Sequence, residues 1–434
     1  MVTVGYGIGL LNAWCVLWGA TLLVWRYFRG EAGRVEVQGE MGEKQLDDLA
    51  DGEGTGMEQS EDRGIRSRVV DSDGKRTGKD DNGEQSTTTD VKIVYQSLPT
   101  DFLHRLDWVL DLVTNFRGTR WNHQIHGLPP PPSDIQAGLA DHSFPAPTSQ
   151  SHLTRADLLC RDLPTFLLCC VALDVLKTLT MQDPYFWGLG PSSSSPFRYP
   201  MATRLVLSLL FVYTSLQTIF VLAPLIFGVL LGPRCIGQHA WPWLYHPCFG
   251  PLSQVWQKGI AGFWAGWWHQ LFRFAFEQAG EFAGRVVGWE KRSRRGKVLR
   301  VLVAFACSGA LHACASYATL GDTKPMRGSF AFFMVQPVGI LAQSALSGWM
   351  RQRGLREKVP VWLRELGNMV FVVAWGYLTG SLVSDDFAAT GIWLYEPLPI
   401  SPLRGLRGEG WWRWSGSWVR WHTGERWWES GLAF

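Results

Sequence analysis

Charge is scarce in this 434-residue chain, where Asp, Glu, Lys and Arg make up only 18% of residues, against roughly a quarter in an ordinary soluble domain. It is also unevenly placed: the run 301–320, VLVAFACSGALHACASYATL, holds no charged residue and is long enough to cross a bilayer core. The chain has no CxxC pair and no Cys/His metal spacing, so no metal site is expected. Six of the eight cysteines (Cys15, Cys160, Cys169, Cys170, Cys307 and Cys314) lie in or beside apolar stretches and read as buried thiols. A Gly-rich phosphate loop and a covalent-nucleophile motif are missing too, which leaves direct transfer between two bound substrates as the expected chemistry. No Asn-x-Ser/Thr site occurs, and that locates nothing by itself. The absence of an internal repeat weighs against a transporter built from paired broken helices.

What the chain does have is aromatic and apolar. Its 24 Trp and 23 Phe concentrate in a few runs, which marks a lipid-facing protein. Residues 31–90 are the opposite, with 17 acidic and 8 basic side chains. That stretch cannot bury enough apolar surface to fold alone. Since the whole chain is +3, the remainder is strongly basic, in keeping with loops that face an anionic leaflet and not with nucleic-acid binding. The predicted organisation is an N-terminal anchor (1–28), an acidic linker (29–94), a helical membrane domain (95–406) and a Trp-rich interfacial tail (407–434).

Apolar runs at 4–25, 163–181, 204–231, 301–320, 329–350 and 361–383 predict spans of an all-α, polytopic transmembrane helix bundle of about six to eight spans. Segment 262–280 is the doubtful one, because His269, Gln270, Arg273 and Glu277 interrupt it; a tilted, interfacial or re-entrant helix fits it. Alternating the loops places 233–300 and 351–360 on the cytosolic side with the cluster Lys291, Arg292, Arg294, Arg295 and Lys297, and places 182–203, 321–328 and both termini in the lumen. The endoplasmic reticulum is the expected residence. Asp174 and Lys177 are expected to pair on one helix face, and Pro224 and Pro337 to kink their spans. His312 stands out as an ionisable group inside a charge-free span, where such groups usually face a bundle interior or a wet cavity.

Several strings, read in order, carry a resemblance: NFRGTRWNHQIHGLPP (115–130), DPYFWG (183–188), WPWLYHPCFGPL (241–252), FWAGWWHQLFR (263–273), SGALH (308–312) and DDFAATGIWLYEPLPISPLRGL (385–406). Together they resemble the signature series of fungal wax-synthase-like proteins, a group of membrane-bound O-acyltransferases, over residues 95–406. The resemblance implies an enzyme with no resident cofactor that takes acetyl-CoA as co-substrate and acetylates a hydroxyl of a terpenoid or related secondary metabolite. It also implies that His312 is catalytic. Ala313 stands where plant-type members commonly have Glu, which favours a small acyl group. The alternatives are a long-chain acyl-CoA:alcohol acyltransferase and a non-enzymatic transporter using His312 as a proton relay.

Esterification by a thioester needs a base beside the acceptor hydroxyl and a donor for the oxyanion. Histidine is the natural base at neutral pH. Ser308, one turn before His312, is placed to orient the ring or contact substrate, or simply to pack helices. His269 or Gln270 is the candidate polarising donor, with Trp264, Trp267 and Trp268 walling a pocket; the plainer alternative is an aromatic belt at the membrane interface. On helical spacing, Phe263, Trp267 and Gln270 share one stripe and His269 falls with Phe272 and Arg273. Arg273 and the basic run 291–300 are candidates for the phosphates of CoA. The expected partners are therefore the lipid membrane, an acyl-CoA and a hydrophobic alcohol.

Overall fold

The computed structural model describes residues 2–25, 32–38, 92–139, 153–190, 196–319, 321–414, 420–423, 425 and 431–433. Most of the acidic stretch and part of the Trp-rich tail, on which the linker and interfacial-tail expectations fall, lie outside them. The main helices are α1 (Val2–Ala20), α2 (Phe102–Thr114), α3 (Arg155–Thr180), α4 (Met201–Ala223), α5 (Ser253–Gly262), α6 (Arg273–Val286), α7 (Arg294–Tyr317), α8 (Ala331–Gln352) and α9 (Val361–Ala389). Wider π-helical turns extend α1 over Thr21–Trp25, α4 over Pro224–Leu231 and α5 over Phe263–Trp267, and Met326–Phe330 leads into α8. At Pro224 the helix loses an N–H donor and widens; Pro337 is accommodated inside α8.

Six stretches among the described residues are long and apolar enough to cross a membrane: Gly5–Trp25, Arg155–Thr180, Met201–Ala240, Arg294–Tyr317, Met326–Gln352 and Val361–Ala389. Their outer faces are apolar and exposed, as along Val361, Leu366, Val370, Val373 and Leu378 of α9. In water such a stripe would be a liability; against lipid it is the ordinary exterior.

The predicted alternation of loops appears as two ends of one bundle. At the far end, Tyr6 packs edge-on against Phe387 at 5.3 Å, and Lys177 Nζ donates to the Trp393 carbonyl at 2.6 Å. At the opposite, basic end, Arg285 donates to the Trp25 carbonyl at 2.6 Å, and Arg155 to that of Val229 at 2.8 Å. Residues 182–190, 196–203 and 321–328 gather at the far end, while the hairpin within 233–300 opens at the basic end.

Two expectations need correction. First, the edges of the acidic linker are ordered: β1 (Arg34–Gln38) pairs antiparallel with β2 (Lys92–Gln96), Arg34 opposite Gln96. Arg120, in the left-handed region at φ 73°, holds this ribbon by donating to the Val35 carbonyl (2.6 Å) and to Glu36 (2.7 Å). Second, Asp174 and Lys177 do not pair with each other. Asp174 accepts from the Ser401 hydroxyl and from the Leu403 amide at 2.8 Å, while Lys177 turns to Trp393, so the C-terminal segment takes both side chains. The DPYFWG string forms a junction after α3: Asp183 caps the turn Pro184–Trp187 through the Tyr185 amide (3.0 Å) and also accepts from the Tyr199 amide (2.8 Å).

Asp386 is the clearest single fastener at the far end. It is buried and accepts from the Lys324 amide at 2.9 Å and the Ser329 hydroxyl at 2.5 Å. Hydrogen bonds to a charged group contribute roughly 1.5–3 kcal/mol each. Asp386→Ala is therefore expected to lower the melting temperature of the detergent-solubilised protein by several degrees; an unchanged melting curve would show that the network is dispensable.

Candidate active site

The doubtful segment is a hairpin that enters from the basic end and returns to it. On the way in, Asn368 on α9 holds the Trp256 and Gln257 carbonyls at 2.8 and 3.1 Å. Deeper, Gln343 accepts from the Ile260 amide at 2.9 Å, and Trp264 Nε1 reaches Gln336 at 3.3 Å. On the way out, α6 packs Phe274 against Trp18 at 6.0 Å and ends with Arg285 on Trp25. Glycine permits the inward limb: Gly259 has φ 64°, and a Cβ there would lie 2.0 Å from the Gln343 amide.

Helical structure stops at Trp268 and resumes at Arg273, so the stripes expected from helical spacing across 263–273 do not exist. Several of the freed backbone groups are met from nearby. Trp268 N donates to the Phe263 carbonyl at 2.7 Å, Gln270 N to that of Cys248 at 3.0 Å, and Gly250 N to that of Trp267 at 2.9 Å. The Gln270 side-chain amide donates to the Trp268 and Trp264 carbonyls. Arg273 caps the Ala265 carbonyl at 3.2 Å, holds the Gln270 oxygen at 3.0 Å and pairs with Glu277 at 2.7 Å. Gln270 is thereby occupied in shaping the break, which removes it as a free polarising donor.

His269 sits at the tip of the hairpin among Phe220, Phe249 and Phe272, with ring centroids 5.6–6.0 Å away. Its Nδ1 is buried and has no hydrogen-bond partner among the described residues.

His312 lies on α7 beside this tip. Its Nδ1 is 2.8 Å from the Ser308 carbonyl. A carbonyl only accepts, so Nδ1 carries the hydrogen and, in the neutral ring, Nε2 keeps its lone pair. It is thus the backbone of Ser308, not its hydroxyl, that orients the imidazole. The ring packs on Phe333 at 4.4 Å and 34°.

Between hairpin, α7 and α8 is a cavity of about 620 Å³ that reaches from the basic end to the two histidines, a size ordinary for a small-molecule site. Trp264, Trp268, His269, Gln270 and Arg273 line one side; Phe305, Ser308 and His312 line α7, and Phe333 and Ile340 line α8. The mouth is formed by His126, Arg273, Glu277, Glu281, Lys291, Lys297 and Arg300. Lys291 pairs with Glu281, whereas Lys297 has no carboxylate partner among the described residues. Twelve residues of helix separate Arg300 from His312, a depth of about 18 Å.

Trp267 is the predicted wall residue that does not line the cavity. It is half-buried and packs instead against Tyr213, stacked at 5.6 Å and 23°, and against Phe249 at 6.0 Å. His126, Glu277, Glu281, Phe305 and Phe333 belong to the cavity without having been singled out from the sequence. Only Glu277, four residues after Arg273, carried a local signal.

The model of the membrane bound O-acyl transferase family matches residues 245–335, which hold the hairpin, α7 and the start of α8. Acetyltransferase ataH of Aspergillus terreus is 31% identical over 32% of this chain and 44% of its own length. Acetyltransferase spyB of Aspergillus fumigatus is 24% identical over 70% of this chain and 50% of its own. Acetyltransferase eriL of Hericium erinaceus is 26% identical over 75% and 78%. The match thus spans about half the length of the first two relatives. No solved structure matches the chain.

The packing of the hairpin on loop 248–252 makes a direct comparison of two glycines. A Cβ on Gly250 would stand 1.9 Å from the Gly266 carbonyl oxygen, whereas one on Gly348 meets nothing within 4 Å. Gly250→Ala is expected to lower the melting temperature, and Gly348→Ala, in the interior of α8, to leave it unchanged or raise it slightly. Equal effects of the two substitutions would contradict the close approach.

Proposed function

We propose that this chain is a membrane-bound O-acyltransferase, the family whose model matches its residues 245–335, and that it transfers an acetyl group from acetyl-CoA to a hydroxyl of a lipophilic secondary metabolite of terpenoid or meroterpenoid type. The observation that carries the reading is His312, whose fixed tautomer leaves a free Nε2 on a cavity that opens at a basic mouth. The names of the relatives favour acetyl over a long acyl chain. The apolar, Trp-rich wall favours a lipophilic acceptor.

In this mechanism the phosphates of CoA meet Lys291, Lys297 and Arg300 at the mouth, and the pantetheine arm runs inward to bring the thioester beside the histidines. Nε2 of His312 takes the proton of the acceptor hydroxyl as its oxygen forms the new C–O bond. The oxyanion is steadied by an N–H of neutral His269, whose Nδ1 has no hydrogen-bond partner among the described residues. Collapse breaks the C–S bond, and the imidazolium returns its proton to the leaving thiolate, giving ester and free CoA. Trp264 and Trp268 limit the water that would hydrolyse the thioester. The basic end is proposed to face the cytosol, the source of the donor, in an endoplasmic reticulum membrane.

Microsomes supplied with labelled acetyl-CoA or palmitoyl-CoA, and a panel of hydroxylated terpenoids and a fatty alcohol, test the reading. Wild type should form an acetyl ester, and His312→Ala should lose about a hundredfold or more of that rate. Loss of an oxyanion donor in His269→Ala should cost about as much. Full activity of His312→Ala would overturn the assignment, and ester formed from palmitoyl-CoA alone would replace it with the long-chain reading.

A further inference from the structure

The cavity ends blindly just past His312, and one side chain closes it. Its lining includes nothing from α7 beyond His312 and nothing on α8 nearer the far end than Phe333. Phe333 is 6% exposed. Its ring lies against the imidazole and is braced by Phe332 at 5.1 Å and Trp264 at 5.8 Å. Behind this pair, Phe387 lies nearly parallel to the imidazole at 6.4 Å and 17°. The flank is shut as well: a Cβ on Gly309, one turn before His312, would come within 2.9 Å of the Phe330 ring, so α7 and α8 touch there.

Resting on the acyltransferase reading above, we propose that Phe333 is the floor of the acyl pocket and limits the donor to acyl groups of acetyl size. A donor that enters at the basic mouth and brings its carbonyl to His312 points the remainder of its acyl chain at this ring. An acetyl methyl fits against it. Each further methylene must displace a buried aromatic ring held on two sides, and in an apolar pocket one methylene is worth about 10- to 200-fold in selectivity. The apolar surface of Ala261, Ala265 and Ile340, which also lines the cavity, is on this proposal a second apolar arm left for the acceptor. Chain-length choice therefore belongs to α8, outside the histidine-bearing elements.

The test uses purified full-length protein and non-hydrolysable acyl-CoA analogues, in which a methylene separates sulfur from carbonyl, with acetyl, butyryl and hexanoyl chains. Wild type is expected to bind the acetyl analogue at least about tenfold more tightly than the hexanoyl analogue. Phe333→Ala should shrink that ratio to below about threefold, and Phe333→Leu, which keeps more of the ring's volume, should lie between. A wild-type ratio retained in both variants, with melting curves intact, would overturn the proposal, as would a wild type with no chain preference. Should Phe333→Ala fail to fold, Phe333→Leu alone decides by the same ratio. A wild type that binds no acyl-CoA analogue at all would instead defeat the acyltransferase reading. Ile340→Ala separates the two arms: relaxed chain preference there but not in Phe333→Leu would place the acyl group in the other arm and overturn the proposal.

Discussion

A chain that reverses inside an apolar bundle frees peptide groups that lipid cannot hydrogen-bond, and each one left bare costs several kcal/mol. The hairpin 253–286 is arranged around that constraint. Its break at 268–272 is tolerable because the loop 248–252 offers the Cys248 carbonyl and the Gly250 amide at the right depth, and because Gln270 and Arg273 cap the carbonyls that the interrupted helix leaves behind. The polar residues that made the segment doubtful as a span are largely the ones that let it turn. One consequence is that His269 is carried to the interior on a fixed stretch of backbone, beside a helix that presents His312.

The two histidines are held by different means. His312 is fixed by its own helix through the Ser308 carbonyl and by aromatic faces, whereas His269 is surrounded by aromatic rings and keeps a nitrogen with no partner among the described residues. That asymmetry suits a division of labour in which one ring has an assigned tautomer and the other takes whichever the substrate requires. The motif 115–130 contributes at a distance: Arg117 donates to the His246 and Pro247 carbonyls at 2.6 and 2.9 Å, fixing the loop that in turn meets the hairpin.

Spans were legible because charge-free runs of about twenty residues have few other meanings. Their ends were not. The helix α3 begins at Arg155 and not near 163, since Thr154 and Asp157 form a capping box and Arg161 and Asp162 pair on its first turns, so charged residues are helical outside the apolar run. The two histidines, Trp264, Trp268, Arg273 and Ser308 were readable as members of one site from residue chemistry and family strings. Trp267 was misplaced because a 3.6-residue period was extended through a break that only a tertiary partner, the 248–252 loop, makes affordable. Asp174 and Lys177 did share a face, but their partners lie more than two hundred residues on. Phe333 was invisible for a different reason: in the run FAFF each ring is locally equivalent, and only the packing against His312 distinguishes one. The strand Arg34–Gln38 was lost in the average polarity of its surroundings, its partner being beyond the acidic stretch.

The central claim is that one cavity receives the donor from the basic end and delivers its carbonyl to His312. A cryo-EM structure of the full-length protein with a non-hydrolysable acetyl-CoA analogue addresses it directly. The account predicts nucleotide density at Lys291, Lys297 and Arg300, and the analogue's carbonyl between the His269 and His312 rings. Density for the nucleotide at the far end, or a carbonyl remote from His312, would contradict it.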